Sequence, residues 1–205
     1  MPAMRTPDLL DTRLGRSTAE ALSPAASAGR LHITPLDEAD IEPLAQGLWH
    51  ESVYRHIGGL PAAQAEVSDW LRRTLAGPSP QQPPQRWLNY VMRRSPGGAP
   101  LGLLQATLHQ DIAEVAYLLV PSAWGQGLAG EGLCWLHETL DRRVPGCTCW
   151  ATTLPANERS WRLLARCGYG RVAPSAAPVL MSYDEGDWVF RRQRPQPPQC
   201  GSPEA

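Results

Sequence analysis

Gly125, Gly127 and Gly130 fall within Ala113-Glu-Val-Ala-Tyr-Leu-Leu-Val-Pro-Ser-Ala-Trp-Gly-Gln-Gly-Leu-Ala-Gly-Glu-Gly-Leu133, and their spacing could seat an anion. A short apolar strand runs into a glycine-rich turn, and the turn opens straight into a helix. The first amide N–H groups of a helix have no partner inside it, and they carry the positive end of its dipole. Glycine lets a bulky anion approach such groups closely. A strand, a glycine turn and a helix start in this order therefore form a seat for a phosphate or pyrophosphate.

Two common glycine motifs can be set aside. A Walker loop ends in Gly-Lys-Ser/Thr, and the chain contains no lysine. A dinucleotide fingerprint needs Gly-x-Gly-x-x-Gly and an acidic residue about 20 residues on, inside a βαβ unit. Gly125-Gln-Gly127-Leu-Ala-Gly130 meets the glycine spacing, but the chain lacks the repeated βαβ run of a doubly wound fold. Trp124-Gly-Gln-Gly127-Leu-Ala129 resembles instead the coenzyme A loop of the GNAT acetyltransferases, Gln/Arg-x-x-Gly-x-Gly/Ala, with Trp where Arg or Gln is usual. Trp-Gly-x-Gly-x-Ala is familiar in that family's ribosomal-protein N-terminal (Rim-type) branch. Asn157-Glu-Arg-Ser160 followed by Gly168-Tyr169 resembles the same branch's Asn-x-x-Ser and Gly-Phe. Leu31 to Asp40 and His56-Ile-Gly-Gly59 before a Trp70-containing helix are similar to its opening segments.

The resemblance covers residues 30 to 192. It implies the GNAT fold: an α+β, α/β/α sandwich with a mixed, mostly antiparallel sheet and a parallel strand pair splayed around the coenzyme A loop. The activity it implies is transfer of an acetyl group from acetyl-CoA to a primary amine, either a protein N-terminus or a small molecule, by direct attack. A GNAT-fold module that holds coenzyme A without turnover is the alternative. Under this reading the loop from Gly125 through Gln126, Gly127, Leu128 and Ala129 to Gly130 binds the pyrophosphate. The backbone of Leu118, Leu119 and Val120 pairs with the pantetheine arm, and the N–H of Leu119 or Val120 polarises the thioester oxygen. Asn157 bonds the arm's amides or simply caps a helix.

Glu114 is the candidate base, acting directly or through water. By the strand period it shares a face with Ala116 and Leu118, and apolar neighbours raise a carboxylate's pKa. A surface carboxylate at a strand edge is the plainer reading. Many GNAT enzymes carry a Tyr seven residues after the Asn, and here that position is Leu164. Ser160 is the candidate acid or hydrogen-bond donor to the leaving thiol; a helix serine bonding backbone is the alternative. Tyr117, on the other strand face, reads as core.

These residues need a scaffold, and the chain supplies a legible one. Leu31 to Pro35 reads as a strand, and Asp37 caps a helix reaching about Trp49. Pro61 opens a second helix with Val67, Trp70, Leu71 and Leu75 on one stripe. Strands are expected over 86–94, 101–108 and 113–120, a helix to Arg143, then a strand over 148–154 parallel to 113–120. A helix from Asn157 to Cys167 and strands over 171–172 and 179–191 complete the order. Residues 1–29 read as a disordered tail, 30–192 as the catalytic domain and 193–205 as a Pro-rich disordered tail.

Composition narrows the setting. The 205 residues carry a formal net charge of −1, which gives no electrostatic case for nucleic acid or membrane binding. The five cysteines lack the spacing of a zinc site, so no metal is expected. Free thiols and the lack of a signal-peptide block point to a soluble cytoplasmic protein, monomer or homodimer.

Overall fold

The computed structural model describes residues 26–80 and 84–193 of the chain. Residues 1–25, 81–83 and 194–205, which include most of both expected tails, lie outside the described residues. The strands are β1 (Ala26–Ala28), β2 (Leu31–Pro35), β3 (Arg86–Arg93), β4 (Gly102–His109), β5 (Ile112–Leu119), β6 (Thr148–Thr153), β7 (Tyr169–Val172) and β8 (Trp188–Arg192). They form one sheet in the order β1-β2-β3-β4-β5-β6-β8-β7. Among the described strands only the β5–β6 pair is parallel, with helix α4 (Leu128–Arg143) as its crossover. The other helices are α1 (Ile41–Leu48), α2 (Glu51–Tyr54), α3 (Gln64–Ala76) and α5 (Glu158–Arg166).

Strand alternation sorts the helices into two layers. Successive residues of a strand face opposite sides. Asn89 Nδ2 donates to Thr74 O of α3 at 3.0 Å, whereas the next residue, Tyr90, meets Trp135 of α4 edge-on with ring centroids 4.9 Å apart. Helix α3, with α1 packed on it, therefore covers one face and α4 the other. Tyr117, opposite Leu104 in the β4–β5 register, reaches Ser160 and brings α5 to the α4 face. A Cβ at Gly132 would lie 2.6 Å from Met92 Sδ, so α4 approaches the sheet as closely as only glycine allows. Leu88, Tyr90, Met92, Leu104, Ala106, Leu108, Ala113 and Val115 are buried beneath it. Each large side chain among them contributes roughly 1.5–3 kcal/mol by leaving water.

The α/β/α sandwich and the parallel pair expected from sequence are present. Three details differ. Residues 26–28, inside the stretch read as a tail, pair antiparallel with β2. Pro61 does not open the second helix; its carbonyl accepts from Trp49 Nε1 at 3.1 Å, and α3 begins at Gln64. The expected strand over 179–191 begins only at Trp188. Its missing half is a loop because the N–H groups of Met181 and Ser182 go to the Glu114 carboxylate, at 2.7 and 2.8 Å, rather than to a neighbouring strand.

Candidate active site

The parallel pairing of β5 with β6 ends at Glu114 and Trp150. Beyond that point the two strands part. A two-residue turn at Gln110 and Asp111 joins β4 to β5, with Gln110 in the left-handed region at φ 52°. His109 and Ile112 face each other beside it, and at the other end Val120 N–H donates to Leu101 O at 3.0 Å. In an antiparallel ladder the bonding direction alternates residue by residue. Residues 112, 114, 116, 118 and 120 therefore bond toward β4, and 113, 115, 117 and 119 turn toward β6. Thr148 N–H donating to Asp111 O at 2.8 Å agrees. The N–H groups of Tyr117 and Leu119 thus point into the gap where β6 has left. Of the two residues expected to polarise a carbonyl, Val120 has its N–H taken by Leu101, and Leu119 faces the gap. Leu118 bonds toward β4, and Tyr117, read as core, brings its backbone to the gap.

The glycine turn closes the open end of the gap. Gly127 is the N-cap of α4 at φ 79°, and Gly125 stands at φ 73° with nothing within 4 Å of where a Cβ would be. Gly127 O accepts from Gly130 and Glu131, so Leu128 and Ala129 carry the first N–H groups of the helix, without helical partners. Gln126 braces the turn. Its Nε2 donates to Ser122 O at 2.7 Å, its Oε1 accepts from Arg94, and its carbonyl accepts from Arg30 Nη2 at 2.8 Å. Arg30 also pairs with Glu131, and its hydrogen bond holds that carboxyl below the usual range. The pair offsets a negative charge that would otherwise repel an anion on the first turn. Trp124 donates Nε1–H to Leu119 O at 2.9 Å, and the Arg159 guanidinium lies 4.9 Å from the Trp124 ring centre. A cation thus returns from α5 to the position where Trp124 replaces the usual basic or amide side chain.

Across the gap, Asn157 is the N-cap of α5, its Oδ1 accepting from Ser160 N at 3.3 Å. Ser160 Oγ lies 3.0 Å from the Tyr117 hydroxyl, which also donates to Ser160 O at 3.2 Å. Leu164 is buried in the core.

On the α1/α3 face the sheet is not fully covered. Trp87, Asn89, Gln105 and Thr107 are partly exposed, and Ala116 in the middle of β5 is exposed. They floor a cleft. Its amides have one orientation: Thr74 O can only accept, so Asn89 must donate to it and must accept from Gln105 Nε2 at 3.0 Å, leaving Gln105 Oε1 outward. The loop 173–187 bounds the β6 side. Glu114 lies beneath that loop, 5% exposed, accepting from His109 Nε2 at 2.5 Å, Met181 N–H, Ser182 N–H at 2.8 Å and Ser182 Oγ at 2.5 Å. The apolar surroundings expected of this carboxylate are replaced by a four-donor cradle. Asp184, Glu185 and Asp187 line the loop's far end, where Asp184 N–H bonds Asp187 Oδ2.

Sequence reading missed Asn89, Gln105, His109 and Ser182. The polar residues at 89, 105 and 107 sit at even spacing on strand faces, which is a readable sign of an open face. His109 and Ser182 gave no local signal, since Glu114 gathers them across 5 and 68 residues. Among the described residues no group of three His, Cys, Asp or Glu could hold a metal, and no helix is long and apolar enough to cross a membrane. The gap, lined by strand N–H groups and ending at free helix N–H groups, fits an extended arm that terminates in an anion.

A family model described as "Acetyltransferase (GNAT) domain" matches residues 30–170. No curated protein matches the chain. Among solved structures, an acetyltransferase from Agrobacterium tumefaciens str. C58 is similar with a TM-score of 0.65 and 19% identity, over 83% of this chain and 95% of that one. An acetyltransferase from Salmonella typhimurium that modifies the N-terminal serine of ribosomal protein L7/L12 aligns with a TM-score of 0.62 and 16% identity, over 82% and 95%. RimL, a ribosomal L7/L12 α-N-protein acetyltransferase in complex with coenzyme A, aligns with a TM-score of 0.61 and 16% identity, over 82% and 94%.

Proposed function

We propose that this chain, which belongs to the GNAT acetyltransferase family, acetylates the α-amine of a protein or peptide N-terminus bound at the open sheet face around Ala116. As a family member it is an acetyl-CoA-dependent N-acetyltransferase. The observation that carries the acceptor assignment is the parting of β5 and β6 beside Glu114, which links the glycine turn on the α4 side to the open polar patch on the other.

Acetyl-CoA, when bound, supplies an activated acetyl thioester. Leu128 and Ala129, with the glycines around them, offer N–H groups to its pyrophosphate, and Arg30, Arg94 and Arg159 add positive charge around the turn. Tyr117 and Leu119 offer strand N–H groups to the arm, and the Leu119 N–H is the oxyanion donor. Asn157 Oδ1 serves the cap while its Nδ2 is directed to the arm. Ser160 Oγ is the donor to the departing thiolate.

Glu114 serves the amine. All its lone pairs carry donors, so it takes a proton only when one of the four gives way. Such a restrained base suits an acceptor that needs little help. An α-amino group has a pKa of about 7.7–8.0 and a lysine side chain about 10.4, so near pH 7.4 about a fifth to a third of the former but only about a thousandth of the latter is unprotonated. RimL and the Salmonella typhimurium acetyltransferase, proteins of like fold that act on the N-terminus of ribosomal protein L7/L12, agree in kind.

The test is thiol release from acetyl-CoA with three acceptor sets: peptides differing in their first residue, the same peptides N-blocked but carrying lysine, and small amines. Release with free-N-terminal peptides alone is expected. Release confined to lysine side chains or small amines would sink the acceptor assignment.

A further inference from the structure

Helix α3 ends at Ala76, and the N–H that would give Thr74 O its helical bond belongs to position 78, which is proline and has none. Asn89 of β3 makes that bond instead, donating Nδ2–H to Thr74 O at 3.0 Å, and its Oδ1 accepts from Gln105 Nε2 at 3.0 Å. Asn89, Gln105 and Ala116 stand directly opposite one another on β3, β4 and β5, so they form one row across the sheet on the α3 side. We propose that Gln105 holds the acceptor amine, its Oε1 accepting an N–H of the α-amino group beside Ala116, with Asn89 as the positioning residue behind it. The proposal rests on the reading above that a peptide N-terminus is acetylated at this open face.

The row leaves the Gln105 amide one orientation. A carbonyl only accepts, so Thr74 O fixes which end of the Asn89 amide faces it. Asn89 Oδ1 then requires a donor, and Gln105 turns its NH₂ toward it. Flipping Gln105 alone would set two carbonyl oxygens against each other, and flipping both amides would do the same at Thr74. Gln105 Oε1 is therefore directed away from Asn89, and among the described residues it accepts no hydrogen bond. The next residue of the row is Ala116, and side chains opposite each other on one face have Cβ atoms about 4.5–5.5 Å apart. Ala116 is exposed, and its methyl leaves free the space that a longer side chain would fill. Glu114 lies two residues earlier on the same face of β5. A primary amine that attacks a thioester aims its lone pair at the carbonyl carbon, and its N–H bonds then need acceptors on the other side. An amide oxygen is too weak a base to take a proton, so it orients the amine and leaves deprotonation to Glu114. A carboxylate in the same place would favour the ammonium form, which cannot attack. A neutral acceptor held in one direction thus suits an amine that must be gripped without being kept charged.

The experiment reads the grip on the amine itself. The full chain is saturated with coenzyme A, which carries no acetyl group to transfer. It is then titrated by calorimetry at about pH 7.4 with a peptide that wild type acetylates and with its des-amino analogue, in which hydrogen replaces the α-amino group. Wild type is expected to prefer the amino peptide by about tenfold or more, the scale of a hydrogen bond to a charged group. In Gln105→Met, of similar length but without the oxygen, that preference should shrink at least about fivefold, while the Kd values of coenzyme A and of the des-amino peptide stay within about twofold of wild type. Asn89→Leu, which lets the Gln105 amide turn, should give an intermediate preference. The double variant should match Gln105→Met, since Asn89 acts only through Gln105. A preference unchanged in Gln105→Met, equal losses for the two peptides, or a wild type that binds both alike overturns the proposal. If Asn89→Leu does not fold, Gln105→Met decides alone on the same outcomes. A wild type that acetylates no peptide N-terminus would instead refute the acceptor reading, a result seen before any variant is made.

Discussion

Replacing Glu114 by Gln removes the charge to which His109, two N–H groups and the Ser182 hydroxyl all point. A neutral amide can accept only part of what they donate, and its own NH₂ must then face donors. The kcat of Glu114→Gln is expected to fall about a hundredfold, the scale of a lost base, while the coenzyme A Kd changes less than about threefold, since no bond to the glycine turn is touched. Steady-state kinetics and calorimetry check the two halves; equal losses in both would make Glu114 a purely structural anchor. His137 sets a second prediction. It is 3% exposed, its Nε2 is 2.8 Å from the Tyr169 hydroxyl, and burial, with Arg192 nearby, pushes its pKa down to about 4. Burial also raises the Tyr169 phenol well above its usual value, so the phenol donates and the neutral imidazole accepts. A folded pKa below the unfolded value of about 6.5 means the unfolded chain binds more protons in between. This stability is complete above pH 6.5 and declines as pH falls toward 4, by on the order of 3 kcal/mol. Melting curves across that window should fall steeply in wild type and less steeply in His137→Gln.

At the scale of elements, the start of α4 and the end of β5 must be treated as one device. Gly127 at φ 79° turns the chain so that the helix begins at Leu128, and a Cβ there would meet Arg30 Nη2 at 3.4 Å. Gly127→Ala should cost about 1–2 kcal/mol of stability for the left-handed backbone. By tilting the N–H groups of Leu128 and Ala129 it should weaken coenzyme A at least fivefold, readable by calorimetry alongside the melting temperature. An unchanged Kd would mean that the turn's amides do not hold the diphosphate. The parting of β5 from β6 is likewise an element property. Trp150 packs with Ile112, Leu180 and Val189 on one face, while Thr153 pairs with Trp188 of β8, so β6 follows β8 and leaves β5 open.

For the whole molecule, the gap divides the structure into a half built on β1–β5 and one built on β6–β8 with α5 and the loop 173–187. A ligand spanning the gap and the glycine turn bonds both halves and should stabilise the fold as one unit. At a hundredfold excess over Kd, linkage gives about 2.7 kcal/mol, which for a domain of this size is a rise of roughly 5–10 °C in melting temperature. A single transition moving by that amount is expected with acetyl-CoA; an unmoved transition would deny binding to the folded state. Much of this organisation was legible beforehand. The glycines at 125, 127 and 130, the Asn157-to-Ser160 spacing and the alternation in β3, β4 and β5 are local patterns, and local patterns follow from backbone sterics and periodicity that a sequence states outright. The two motifs and the parallel pair between them were therefore readable, as was Asn157 as a cap. Which backbone groups turn to the gap was not, because that depends on the β4–β5 register, fixed by a two-residue turn and a single bond from Val120 to Leu101. Nor was the cradle around Glu114, three of whose four donors come from 67 and 68 residues away on a loop that reads as strand. Nor was the meeting of Tyr117 with Ser160. A sequence gives each group its chemistry and its near neighbours; only the closed sheet decides which distant donor a buried carboxylate or hydroxyl will face, since burial obliges it to find one.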